Sequence, residues 1–252
     1  MCRCNGLGLN CVQQSLSDLF MKLLKLLLAV GLLGLLSVQT VIAHANPPVI
    51  LVYGDSLSAE YGIVRGAGWV ALLSERLRKE GFPHRVINTS ISGETTAGGL
   101  HRLASTLKKH RPQIVLLALG ANDGLRGLPI GQTRKNLQAM LTMAQQANAQ
   151  AVVIGIRMPP NYGPEYTRAF ERLFTDIGRE RSLPVVPFLL DGIAENHRLF
   201  QADTIHPNEQ AQPKILSNVW PILLPLLSAP PGTATTVDPA GSDGGRAAAP
   251  RR

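Results

Sequence analysis

Cysteine is almost missing from this chain. Its 252 residues hold three, Cys2, Cys4 and Cys11, and all lie ahead of a second methionine at position 21. From Asn46 onward there is none, which excludes a disulfide framework, a thiolate nucleophile and a cysteine-ligated metal there. The Cys2-x-Cys4 pair alone is a weak metal signal. Aromatic residues are also scarce, at 5%, and no basic stripe accompanies them, so nucleic-acid binding is a poor fit. The net charge is +8, but the basic residues are scattered. Groups such as Arg76, Arg78 and Lys79, or Lys108, Lys109 and Arg111, fall where helices should end and complement the helix dipole. The excess remains compatible with transient attraction to an anionic lipid surface.

What is present begins with a leader. From Met21 the sequence reads MKLLKLLLAVGLLGLLSVQTVIAHA, with Lys22 and Lys25 before an apolar core and Ala43, His44 and Ala45 forming an A-x-A site. This pattern predicts a signal peptide over 21–45, cleavage after Ala45 and export to the periplasm or beyond. The competing reading is an uncleaved membrane anchor. Residues 1–20 carry no targeting logic and read as an over-extended frame upstream of Met21. At the other end, Ser228 to Arg252 is rich in Pro, Gly, Ala, Ser and Thr. It has too little apolar surface to offset chain entropy and is expected to be a disordered tail.

Between them, 46–227 is expected to be one folded domain. Apolar runs of strand length fall at Val49 to Tyr53, Arg85 to Thr89, Ile114 to Leu119, Ala151 to Ile156 and Pro184 to Leu189. They are continuous in polarity, as strands buried on both faces must be. Helical patterns fill the intervals at about Gly68 to Lys79, Thr96 to His110, Gln132 to Asn148, Glu165 to Arg181 and Asn208 to Leu227. Strand alternating with helix five times predicts an α/β sandwich with a parallel sheet covered on both sides.

Reactive groups in such sheets gather beyond the carboxyl ends of the strands. There the sequence places GDS, SISGETT and GANDG after its first three strands, and ADTIHPN before the last helix. Ser56, Gly93, Asn122, Asp203 and His206 would therefore converge on one edge. A serine hydroxyl needs a base within hydrogen-bond reach, and that base needs a partner fixing its tautomer. Asp203 and His206, three residues apart, suit those roles. The Ser56 and Gly93 amides and the Asn122 side-chain NH₂ can donate to an oxyanion. Asp55 and Asp123 are rival carboxylates, whose simpler reading is hydrogen bonding to nearby loop amides. His84, His101, His110 and His197 lack a comparable carboxylate and read as structural or solvated.

Together GDSLSAEYG, NTSISGETT, LGANDGLRG, IRMPPNYG and DTIHPN resemble the SGNH (or GDSL) hydrolase superfamily, and its bacterial thioesterase I, arylesterase and lysophospholipase branch in particular. The resemblance spans about 48–227. It implies a flavodoxin-like three-layer α/β/α sandwich with a five-stranded parallel sheet, and ester or thioester hydrolysis with neither metal nor cofactor. By its motifs Ser56 would be the nucleophile, Gly93 and Asn122 oxyanion donors, and Asp203 with His206 the acid–base pair. This chain departs at Thr204, where the branch often has glycine, which bears on the loop conformation. GLRGLPI places Leu125, Leu128 and Ile130 beside Asn122 as acyl-pocket candidates. The expected substrate is thus a small acyl ester or thioester. A carbohydrate or peptidoglycan O-deacetylase of the same superfamily is the alternative, and a non-catalytic binding protein a third reading.

Overall fold

The run VILVYG, Val49–Gly54, has no charged residue, is rich in β-branched side chains and is buried at all six positions. In the computed structural model, which describes residues 46–228 together with Met21, Lys22 and Lys25, it forms β1. The expected signal-peptide core, the cysteines and the expected disordered tail after Ser228 lie outside the described residues. The other strands are β2 (Arg85–Asn88), β3 (Ile114–Ala118), β4 (Gln150–Ile154) and β5 (Val185–Val186). All pair in parallel in the order β2-β1-β3-β4-β5. Helices α1 (Trp69–Lys79), α2 (Thr96–His110), α4 (Ile130–Gln146), α5 (Pro164–Arg181) and α6 (Gln212–Leu227) cover it, with a five-residue α3 (Ala121–Leu125) after β3. One face carries α1 packed on α6; the other carries α2, α4 and α5 in series. This is the expected three-layer sandwich. No helix among the described residues is long and apolar enough to cross a membrane.

Continuous burial holds for the central strands. β1 and β3 are buried throughout, and β4 at all but its first residue. It does not hold for β2, an edge strand with exposed ends. The last strand is shorter than its apolar run suggested, two residues in place of Pro184 to Leu189. Pro184 and Pro187 flank it, and neither has an N–H for the ladder. The chain still follows β4: Val153 N–H donates to Pro184 O at 3.0 Å and Gly155 N–H to Val186 O at 2.8 Å. At Gly155 a Cβ would stand 2.4 Å from Pro187 O, so only glycine admits this close approach. Trp69, fully buried, opens α1 and donates its indole N–H to Leu57 O at 3.1 Å. Each such large apolar side chain contributes roughly 1.5–3 kcal/mol on burial.

Sheet order reverses direction between β2 and β3 around β1. The carboxyl ends of β1 and β3 therefore open a crevice between loops that run to opposite faces. Gly54, which ends β1, pairs with Ala118, which ends β3. The loops after them carry Ser56 and Asn122.

Candidate active site

Ser56 lies two residues past β1, where Ser58 and Ala59 N–H both donate to Asp55 O and turn the chain through one helical turn. Its hydroxyl meets His206 Nε2 at 2.9 Å. The opposite nitrogen of that ring, Nδ1, lies 2.6 Å from Asp203 Oδ2. The other carboxylate oxygen, Oδ1, accepts the backbone N–H groups of Ile205 and His206, each at 3.0 Å. Burial pulls the Asp203 carboxyl upward, but these two N–H bonds, the ring contact and the imidazole charge outweigh it and hold the pKa at about 2. Asp203 is thus an anion across any ordinary working pH, which fixes the proton of His206 on Nδ1 and leaves Nε2 facing serine as an acceptor.

The sequence offered Ser56, Gly93 and Asn122 as donors to an oxyanion. Asn122, in α3, gives an N–H of its side-chain amide to Glu94 O at 3.0 Å, which orients the group. The backbone N–H groups of Ser56 and Gly93 have no acceptor among the described residues. Gly93 sits at φ +79°, and a Cβ there would meet only Arg126 Nη2, at 4.0 Å. The need for glycine here comes from the left-handed backbone that aims the amide, more than from steric exclusion. Its carbonyl is occupied by Arg126 Nη2 at 3.0 Å.

Neither rival carboxylate reaches His206. Asp123 is buried and accepts the Thr96 N–H at 2.8 Å, the Thr96 hydroxyl, and the Thr133 hydroxyl at 3.3 Å. It ties the start of α2 to α4 and so sets the Asn122 peptide beside Glu94. Asp55 accepts the Leu57 N–H at 3.1 Å through one oxygen; the other has no partner. Burial, with a smaller push from the Asp123 charge, raises its pKa to about 7 against the pull of the Leu57 N–H, its own N–H and the Asn122 amide. Asp55 borders a small recess among Leu57, Ala118, Ile154 and Ile156 with room for about one water molecule.

Leu125 and Ile130 pack partly buried against the core, and Leu128 is half-buried. The loop they share is fastened by two tyrosines, Tyr162 Oη donating to Leu125 O at 2.8 Å and Tyr166 Oη reaching Gly124 O and Leu128 O at 3.4 and 3.3 Å. Two further residues at the site are not among those the sequence singles out. Tyr61 packs its ring on His206 at 4.4 Å between centroids. Gln201 donates to Tyr61 O at 2.8 Å and Pro207 O at 3.2 Å, tying the loop after Ser56 to the loop bearing His206. An aromatic five positions beyond Ser56 in an aromatic-poor chain was the available signal for the first; the second left none. Among the described residues no three His, Cys, Asp or Glu side chains cluster as a metal site would require.

Comparison with known proteins leads in the same direction. The chain is 45% identical over 199 residues to the esterase TesA of Pseudomonas aeruginosa, covering 79% of this chain and 99% of that protein. It is 40% identical over 184 residues to thioesterase 1/protease 1/lysophospholipase L1 of Escherichia coli, covering 73% and 87%. The crystal structure of the psychrotrophic esterase EstA from Pseudoalteromonas sp., inhibited by monoethylphosphonate, superimposes with a TM-score of 0.68 at 41% identity, over 72% of this chain and 99% of that one. Residues 52–212 match the model of the GDSL-like Lipase/Acylhydrolase family. With that match across most of the sandwich, and relatives this similar along nearly their whole length, the chain belongs to the GDSL-like Lipase/Acylhydrolase family and is an ester hydrolase.

Proposed function

We propose that Ser56 attacks the carbonyl of acyl esters and thioesters, with His206 as base and Asp203 as its partner. The observation that carries this is the unbroken hydrogen-bonded line from Asp203 Oδ2 through His206 to Ser56 Oγ, at 2.6 and 2.9 Å. As the Oγ–carbon bond forms, the serine proton passes to His206 Nε2. The carbonyl oxygen becomes an anion held by the amides of Ser56 and Gly93 and by Asn122 Nδ2. Collapse breaks the bond to the leaving oxygen or sulfur, which takes the proton from His206. A water molecule, deprotonated by the same nitrogen, then releases the acid and restores serine.

An acyl chain suits the mouth better than a sugar. Leu125, Leu128 and Ile130 follow Asn122 closely in the chain, and Tyr61, which could stack on a sugar, already packs on His206. The relatives named esterase and thioesterase support the same substrate class. A chain-length series of p-nitrophenyl esters and acyl-CoA thioesters tests it, with kcat/KM expected to rise from acetyl toward longer chains. Leu125→Ser and Leu128→Ser should raise KM for long esters more than for acetate, each lost contact being worth roughly 1.5–3 kcal/mol at most. An equal effect on both would make the loop merely structural, and a preference for acetylated saccharides would favour the deacetylase. We further infer export with cleavage after Ala45, which amino-terminal sequencing of the secreted protein would check by recovery of Asn46.

A further inference from the structure

The segment from Ser56 to Trp69 and the segment from Phe200 to Gln212 come from opposite ends of the domain's sequence, yet the site needs them in register. Ser56 Oγ on the first meets His206 Nε2 on the second at 2.9 Å. That contact joins two loops, neither of which is a strand of the sheet, so its length depends on what holds the loops together. Among the described residues, three side chains of the second segment bond the backbone of the first. Gln212 Oε1 accepts the Trp69 N–H at 3.0 Å, and Glu209 Oε1 the Val64 N–H at 3.2 Å. Gln201 Nε2 donates to Tyr61 O at 2.8 Å.

Gln201 differs from the other two in what else it grips. Its backbone N–H donates to His206 O at 2.8 Å, and its side-chain amide also reaches Pro207 O at 3.2 Å. One residue thus holds the two carbonyls at and just after His206 together with the carbonyl of Tyr61, whose ring rests on His206 at 4.4 Å. The Ser56 segment makes room for it. At Gly62, where φ is +71°, a Cβ would stand 2.0 Å from Gln201 Oε1 and 2.8 Å from its Cδ. The amide therefore lies against bare backbone, which glycine alone provides. Asp203, by contrast, fixes the imidazole from within its own loop and does not set its distance from Ser56.

We propose that Gln201 is a positioning residue for the catalytic step, clamping the Tyr61 carbonyl to the His206 loop so that serine and imidazole stay in line. The clamp matters only if Ser56 and His206 react as proposed above, and Gln201 itself touches no reacting atom. Gln201→Met keeps the length of the side chain and removes both bonds that its amide donates. The ties at Val64 and Trp69 remain to hold the fold. In full-length protein the variant should lower kcat and the rate of fluorophosphonate labelling at Ser56 together. A loss of about ten- to a hundredfold is expected, the order that a misplacement of ~1 Å costs. KM for a p-nitrophenyl ester and the preference among acyl chain lengths should stay within about twofold, because the residues proposed to line the acyl pocket are untouched. Glu209→Ala is the control. It cuts a tie between the same two segments that reaches neither Tyr61 nor His206, and should leave kcat unchanged.

Gly62→Ala tests the same contact from the other side. Its methyl group should displace the amide, lowering kcat in the otherwise unaltered enzyme and much less in the Gln201→Met background. Unchanged kcat and labelling in Gln201→Met would overturn the proposal even if the variant melted earlier, since the side chain would then support the fold alone. So would an equal loss of kcat in Glu209→Ala. A Gly62→Ala loss just as large beside Gln201→Met would overturn it too, because the methyl group would then act without Gln201. None of these outcomes bears on the nucleophile, whose assignment fails instead if fluorophosphonate marks another serine in the unaltered protein.

Discussion

The hydroxyl of Ser56 meets a histidine nitrogen because two short-range arrangements come together. Asp203 is fixed by the N–H groups of Ile205 and His206, and His206 by Asp203 and the Tyr61 ring. Residues that act as one unit lose function as one unit. Ser56→Ala and His206→Ala should each lower kcat by about 10⁴ to 10⁶, with the double variant little worse than either. Asn122→Ala removes one of the three proposed oxyanion donors and should cost on the order of 10² to 10³, mostly in kcat. Steady-state kinetics on one soluble ester would check both. Asp55 makes a different prediction. Its carboxyl ionises near 4 in the unfolded chain but holds its proton to about 7 when folded. Between those values the folded state binds the extra proton, so stability falls as pH rises through that window and stays lowered above it. The penalty is on the order of a few kcal/mol. Asp55→Asn should therefore stabilise the protein more at pH 8 than at pH 5 in urea titrations. Equal changes at both would contradict the assignment.

Among the elements, the loop from Gln201 to Pro207 departs most from what its residues prefer. Thr204 occupies φ +60°, a left-handed conformation that a β-branched side chain adopts only under constraint. The resemblance to the SGNH superfamily singled out this position as one that often holds glycine, and the backbone shows why glycine suits it. Thr204→Gly should relieve about 1–2 kcal/mol of strain and return roughly 0.5–1 in chain entropy. A rise in Tm of a few degrees at most is expected, with kcat preserved. A fall in Tm would mean that the threonine makes a compensating contact. Elements with a strong pattern were legible in the sequence: α2 was read at its observed limits, and β1, β3 and β4 from unbroken apolar runs. The rest gave weaker signals. β5 is cut short by prolines that a hydropathy run ignores. α3 is five residues, too short for a helical period, with Gly120 just before it and Gly124 inside it as turn signals. The Gln201 bridge is a contact between distant loops, which no local pattern encodes.

At the level of the molecule, the parallel sheet turns separate motifs into a site. Residues 56, 93, 122 and 203–206 are far apart in the chain, and only the strand order β2-β1-β3-β4-β5 brings their loops to one edge. The sequence revealed which residues belonged to that edge through the motif set and its spacing; the hydrogen-bonded alignment came with the fold. Ser56 should consequently differ from every other serine in reactivity, since no other serine hydroxyl among the described residues meets a histidine ring. The direct test is to treat the full-length protein with a fluorophosphonate and map the adduct by peptide mass spectrometry. A single adduct on Ser56, absent from His206→Ala and stoichiometric with loss of esterase activity, is the expected result. Modification of a different serine, or an enzyme that keeps full turnover as Ser56→Ala, would contradict the account.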